Sequence, residues 1–409
     1  MNSKSTPITA SVIEDPRITL VVQGRFHAFA LAKALIEQHA SVHVITNYPV
    51  FLAERFGLPR EHVSGFGLMG LLHRYAYQLD LVRRIPALEK LLHVGFSQWA
   101  TRHILINNPN VVHSFSGVSL EIYQNLQARG SNVKRILARG SGHIRSQYHD
   151  LFRESQRAGA DIDMPSAWMI RREMKEYALA HKIITLSSFA EESFIRLGYS
   201  KDKMLMLPLG ADVKQFRPAR AVIDARLSRI RSGQKLKVLY TGNISLQKGI
   251  IDMIEIAKAL RGKIHFRLVG NITPDAVKRI KAADDLFELV PRQPEGQLPA
   301  IYNDADIFVF PTIHDGFAAV LAQARAACLP ILATNHCSAA DMIQEGKNGW
   351  TFPVRRADQI IERLEWCDLH REETARLVEY LWEQQDTRDW QNVATDFLNL
   401  VYRPKVATT

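Results

Sequence analysis

The chain has 409 residues, of which 46% are hydrophobic, 23% charged and 9% aromatic, and it carries a net charge of +10 at pH 7. That is enough material for two cores, and the composition excludes a disordered, collagen-like or small disulfide-framed protein. Its 3 cysteines, Cys328, Cys337 and Cys367, have no CxxC spacing and define neither a disulfide lattice nor a zinc knuckle, so a reducing cytoplasm is expected. Most of the positive excess lies in residues 1–200, a bias that suits an anionic partner or surface. No dense Lys/Arg run, interleaved aromatic motif or finger spacing accompanies it, so no nucleic-acid partner is expected. The first twenty residues lack a basic flank followed by an apolar run, and no stretch of 18 apolar residues occurs. Neither a signal peptide nor a membrane span is therefore expected.

In chain order, residues 18–22 read as a buried strand, Gln23-Gly24-Arg25 as a turn, and 26–38 as an amphipathic helix with Phe26, Phe29, Ala30, Leu31, Ala34 and Leu35 inward. Residues 41–46 supply the next strand. Residues 66–103 mix apolar Phe66, Leu68, Met69, Leu71 and Leu72 with Arg74, Arg84, Lys90 and Arg102 in helical segments, a pattern that fits either a domain core or a face lying on an anionic membrane. Residues 208–234, with two prolines and Arg217-Pro218-Ala219-Arg220, read as an interdomain linker. A second unit restarts with a strand at 237–241, a loop at 242–247 and a helix at 248–260. Strands follow at 264–269, 286–290, 307–310 and 330–333, each after a helix-length segment. Strands alternating with helices predict two doubly wound parallel α/β domains, at 1–214 and 235–385, facing each other across a cleft.

Ligands of such sheets bind at strand carboxyl ends, where helix N-termini favour phosphate. The dinucleotide fingerprint GxGxxG is missing: Gly24 stands alone, and Gly140-Ser141-Gly142 meets Arg145 where a third glycine belongs. The richest segment is Ile307-Phe308-Val309-Phe310-Pro311-Thr312-Ile313-His314-Asp315-Gly316-Phe317-Ala318, which runs into Ala319-Val320-Leu321-Ala322-Gln323. A buried strand ends at a proline, and a polar loop opens a helix. Backbone N–H groups of Gly316, Phe317 and Ala318 are then expected to be free for a phosphate, with Asp315 accepting from hydroxyls. Gln323, eight residues on, projects within about 80 degrees of the same helical face.

This segment, with Leu329-Pro330 and Gly346-Lys347-Asn348-Gly349 after it, resembles the donor-site signature of retaining glycosyltransferases of family four, which have the GT-B fold. Leu207-Pro208-Leu209-Gly210-Ala211-Asp212, Thr241-Gly242 and Lys248-Gly249 match the family in order. The resemblance implies transfer of a sugar, with retention, from a nucleoside diphosphate donor to a glycan or lipid-linked acceptor in surface polysaccharide or glycolipid assembly. It makes the first domain acceptor-binding, the second donor-binding, and a C-terminal helix at about 386–402 a return onto the first. It also implies that Lys248 clamps the diphosphate, that Asp315 holds sugar hydroxyls in place of the first Glu of an E-x7-E motif, and that Gln323 stands for the second Glu, which holds the ribose. Val290-Pro291-Arg292 resembles the loop that meets the base. Asn243 replaces an arginine common in the family, and Arg25 or Arg139 could supply the missing cation. His143 falls where members place a histidine beside the transferred sugar, with His113 a second choice. Catalytic roles are thus expected for Lys248, Asp315 and His143, and donor contacts for Gly24, Arg25, Arg139, Gly242, Asn243, Arg292, Gly316, Phe317, Ala318 and Gln323. Asp304-Ala305-Asp306 and Asp161-Ile162-Asp163 spell DxD without companion ligands, so neither metal nor other cofactor is expected. The other reading is a non-catalytic sugar-nucleotide or carbohydrate-binding protein whose site eroded through Asp315 and Gln323.

Overall fold

A computed structural model describes residues 16–211, 213–384 and 388–402; Asp212 of the 207–212 motif and residues 386 and 387 of the expected C-terminal helix lie outside them. Within these, the chain forms two compact units. The first comprises the described residues up to Ala138, Lys175–Lys182 and the segment from Trp390; the second comprises Arg139–Met174 and the described part of Ile183–Asp389.

In the first unit, β1 (Arg17–Val22), β2 (Ser41–Thr46), β3 (Val63–Gly65), β4 (Val111–Phe115) and β5 (Lys134–Ala138) run in the order β3-β2-β1-β4-β5, every pair parallel. The order reverses at β1, as in a doubly wound sheet. β4 is buried at every residue, and β1 at all but its first, as befits central strands of a sheet covered on both faces. The first helix, Ala28–Glu37, starts two residues later than expected. Phe26, expected inward, precedes it with φ +38° and is 70% exposed, because the turn after β1 must bend through the left-handed region before the helix can begin. The helix Trp390–Tyr402 packs in this unit: Gln38 Nε2 donates to the Gln391 carbonyl at 2.9 Å, and the buried Phe397 ring meets His113 edge-on at 5.1 Å.

In the second unit, β6 (Lys182–Thr185) and β7 (Met204–Met206) pair in parallel through residues 183–185. A six-stranded parallel sheet then uses β8 (Lys237–Thr241), β9 (His265–Val269), β10 (Glu288–Val290), β11 (Ile307–Phe310), β12 (Ile331–Thr334) and β13 (Gly349–Phe352) in the order β10-β9-β8-β11-β12-β13. The stretch read as a linker contains a helix, Arg220–Arg231, whose Ile223, Leu227 and Ile230 enter the core. Arg226 on the same face is fully buried and donates to the carbonyls of Ala327, Cys328, Tyr302 and Asn303. Its fixed fork thus reaches carbonyls at the carboxyl ends of two helices, Leu298–Asn303 and Ala319–Ala326. Cys328, Cys337 and Cys367 are buried and unpaired.

Candidate active site

β8 and β11 are neighbours, so the loops after them meet at the carboxyl edge of the sheet. After β8, Lys248 sits in a tight turn whose N–H bonds to Ser245, and Gly249, with φ +78°, starts the helix Ile250–Ala259. A Cβ on Gly249 would lie 1.9 Å from the Pro311 carbonyl oxygen, so only glycine lets the two loops approach this closely. The approach brings Lys248 Nζ to 2.5 Å from Asp315 Oδ2, with each side chain about a fifth exposed. The ammonium also stands 5.8 Å from the centre of the Phe310 ring. Two residues 67 apart in sequence, both expected in the site, thus form one ion pair.

The loop after β11 departs from expectation in one respect. The N–H of Phe317 donates to Asp315 Oδ1 at 3.3 Å and that of Ala318 to Ser338 Oγ at 3.2 Å, so neither is free. The short polar side chains at 315 and 338 reach these donors first. Among the described residues the Gly316 N–H has no partner. Gly316 itself is pressed against the loop after β5: a Cβ there would lie 2.3 Å from both the Gly140 oxygen and the Ser141 Cα.

Beyond the carboxyl ends of β8, β9 and β10 opens a cavity of about 480 Å³, lined by Gly242, Asn243, Arg292, Val320 and Gln323 among others. Four of the expected donor contacts therefore share one cavity. Gln323 is oriented from behind: fully buried Tyr302 donates its hydroxyl to Gln323 Oε1 at 2.9 Å and is itself bonded to Thr241 Oγ1. That leaves the amide N–H groups of Gln323 for the cavity. Arg292 is exposed at the rim.

Other expected residues have partners of their own. Arg139 is buried, with Nε 2.9 Å from Glu173 Oε2 and Nη2 donating to Gln147 Oε1 at 2.6 Å. His143 is fully buried, caps the helix Ile144–Ala158 by accepting from the Arg145 N–H at Nδ1, and packs against Phe194 and Tyr199. Burial first, then Arg139 and Arg145, lower its pKa to about 4. Gly24 and Arg25 lie in the first unit. There Gly24, at φ +91°, is held by Asn47 and Thr46, and the Arg25 guanidinium covers the Phe56 ring at 4.2 Å. The second-choice His113 is buried beneath Phe397 with its pKa lowered to about 3 by burial.

Asp304 is held by Lys237 and Arg267 and Asp306 by Arg229, so the first DxD pair is neutralised by cations. Among the described residues no cluster of three or more His, Cys, Asp or Glu is placed to hold a metal ion.

Sequence reasoning missed His314 and Asp150. His314 Nδ1 lies 2.9 Å from Asp150 Oδ2, and Nε2 lies 2.9 Å from Ser141 Oγ. Burial pushes the Asp150 carboxyl up, but hydrogen bonds from His314 and His336 outweigh it and hold the group well below the usual carboxylate range. Burial keeps the His314 pKa below its ordinary value although Asp150 pulls it upward. The only sequence signal was the place of His314 immediately before Asp315; nothing links it to a residue 164 positions away.

Residues 226–382 match the family described as Glycosyl transferases group 1. The capsular polysaccharide biosynthesis glycosyltransferase CapM of Staphylococcus aureus is 26% identical over 198 residues, 46% of this chain and 49% of its own. The amylovoran biosynthesis glycosyltransferase AmsK of Erwinia amylovora is 23% identical over 212 residues, 48% of this chain and 50% of its own. The chain spans about half the length of the curated relatives it matches. The crystal structure of Anabaena Alr3699/HepE in complex with UDP aligns with a TM-score of 0.68 at 12% identity, over 94% of this chain and 98% of that one. The likeness establishes the fold: parallel-sheet, Rossmann-like α/β units of the GT-B class.

Proposed function

We propose that this chain, which carries a glycosyl transferases group 1 domain on a GT-B fold, is a retaining, metal-independent glycosyltransferase. It moves a sugar from a nucleoside diphosphate to a glycan or lipid-linked acceptor in surface polysaccharide or glycolipid assembly, working in the cytoplasm on the inner face of the membrane. The observation that carries this reading is the grouping of Gly242, Asn243, Arg292 and Gln323 around one cavity at the sheet edge where Lys248 meets Asp315. The cavity takes the nucleoside, with Gln323 N–H groups toward the ribose. Lys248 and the Gly316 N–H take the diphosphate, and Asp315 takes sugar hydroxyls. An ammonium has three donors, so Lys248 serves phosphate without leaving Asp315. In the transfer the anomeric C–O bond to the diphosphate breaks and its electron pair stays on the phosphate. The acceptor oxygen bonds to the same face of the sugar, and its proton passes to the phosphate oxygen. Lys248 offsets the charge developing there. Relatives named for capsule and amylovoran biosynthesis support the pathway class, and a neighbour solved with UDP supports the donor class.

The membrane contact rests on the helix Gly67–Gln78. Leu68, Leu71, Leu72 and Tyr75, with Leu79 after it, fall at helical spacing and are 67%, 49%, 53%, 58% and 59% exposed. An apolar stripe left in water beside Arg74 and Arg84 suits an anionic bilayer surface. Among the described residues no helix is long and apolar enough to cross a membrane.

A thermal-shift panel of UDP, GDP, UDP-glucose and GDP-mannose, repeated with chelator, tests the donor site. We expect a base-selective rise that the chelator leaves unchanged. A folded protein that responds to none of them refutes the proposal. Flotation with phosphatidylglycerol vesicles tests the stripe, and undiminished binding by Leu71→Asp would remove it.

A further inference from the structure

The hydroxyl–imidazole–carboxylate series of Ser141, His314 and Asp150 lies wholly within the second unit. Its centre cannot turn easily. His314 is fully buried, Phe189 meets its ring edge-on at 5.1 Å, and a Cβ on Gly142 would come 3.1 Å from its Cε1. Asp150 is 7% exposed, with His336 Nδ1 3.4 Å from the same carboxylate oxygen and Arg355 donating to its backbone carbonyl.

The series has a direction. An ionised carboxylate only accepts, so His314 carries its proton on Nδ1 and offers a lone pair at Nε2. Ser141 must then donate its one proton to Nε2. What Ser141 has left for a ligand is acceptor capacity alone. Such an oxygen repels phosphate, which brings no proton at neutral pH, and welcomes a hydroxyl. Ser141 is half-buried, not sealed, and its Cα packs on Gly316, one residue from Asp315.

We propose that Ser141 Oγ, oriented by His314 and Asp150, accepts a hydrogen bond from a hydroxyl of the sugar carried on the nucleoside diphosphate. This rests on the donor-site reading above. Ser141 is the contacting residue, and His314 and Asp150 are positioning residues. The assignment gives the site a second hydroxyl-reading acceptor beside Asp315, whose carboxylate is already partly engaged by Lys248 and the Phe317 N–H.

The decisive variant is Asp150→Asn. An amide N–H donates to Nδ1, the imidazole proton moves to Nε2, and the bond to Ser141 reverses while the side-chain volume stays nearly the same. Ser141→Ala removes the oxygen. In each variant we expect kcat/KM for hydrolysis of UDP-glucose, or of GDP-mannose where UDP-glucose gives no turnover, to fall about tenfold, the scale of one lost hydrogen bond. The Kd for the matching nucleoside diphosphate should stay within about twofold. Imidazole 15N shifts, assigned by the signal lost in His314→Gln, should show Nδ1–H in the parent and Nε2–H in Asp150→Asn, with melting curves confirming the fold. A parent that turns over a nucleotide sugar while both variants match it overturns the relay and leaves the donor site standing. An Nε2–H tautomer in the parent also overturns it. A parent that binds none of these nucleotides and sugars defeats the donor-site reading, and this inference with it.

Discussion

Replacing Lys248 with Met removes its charge while keeping its length, and the structure sets the size of the effect. The Lys248–Asp315 contact of 2.5 Å is four-fifths buried on each side, between the exposed pairs that are worth about 0–1 kcal/mol and the fully buried ones whose truncation costs about 3–5. With Lys248 gone, the Asp315 carboxylate keeps the Phe317 N–H at 3.3 Å as a partner. We therefore expect a loss of about 1–3 kcal/mol in stability. The transfer step should suffer more: removing a positioned group that stabilises a developing oxyanion costs about 10²–10³ in kcat. Release of nucleoside diphosphate, followed with a coupled assay, measures the second effect and melting measures the first. The double variant Lys248→Met/Asp315→Asn separates them, because it leaves no orphaned charge and should regain most of the stability without the activity. A Lys248→Met enzyme within threefold of the parent kcat would refute the clamp. A double variant that regains turnover would show that Lys248 serves only to neutralise Asp315.

Gln323→Glu should tighten UDP binding about fivefold, since charge-assisted hydrogen bonds to ribose are roughly twice as strong as neutral ones and Tyr302 can donate to either side chain; unchanged calorimetric affinity would place Gln323 outside the ribose contact. Gly316→Ala puts a methyl 2.3 Å from the Gly140 oxygen and the Ser141 Cα, both backbone atoms. It should cost about 1–3 kcal/mol and most of the activity, and a melting curve matching the parent would mean that the two loops do not pack this way. Buried His143 holds its pKa near 4 while the unfolded chain takes up the proton near 6.5. The unfolded state binds more protons between those values, so stability falls as pH drops from about 6.5 to 4 and the effect is complete below that, with a ceiling of about 3 kcal/mol. His27 and His113, lowered to about 4 and about 3, act in the same direction. His143→Asn, which keeps a capping oxygen, should flatten that slope in part, and an unaltered melting-temperature profile would contradict the assignment.

The parallel α/β class and the loop chemistry of the second unit were legible because they rest on neighbours in sequence. The apolar run at 307–310 and the proline after it locate β11 and its end, and Asp315 follows at a loop that must lie at the sheet edge. The helix Arg220–Arg231 was hidden because Arg226 occupies a core position and the arginines around it blur the apolar face formed by Ile223, Leu227 and Ile230. Strand and helix follow from local backbone preference and from a period of burial that a few adjacent residues display. No such local signal exists for a side chain whose partner is distant. His143 stood out in sequence by its place after a Gly-Ser-Gly turn, yet it caps a helix, while His314, unremarked within a longer segment, joins Ser141 to Asp150. The grouping of Arg139–Met174 with the second unit and the turning of Gln323 by Tyr302 have the same character. Sequence by itself determined which elements form and which residue types stand at the sheet edge. The tertiary structure decided which of those side chains touch, because contact between distant loops depends on how all the intervening elements pack and on where glycine lets backbones approach.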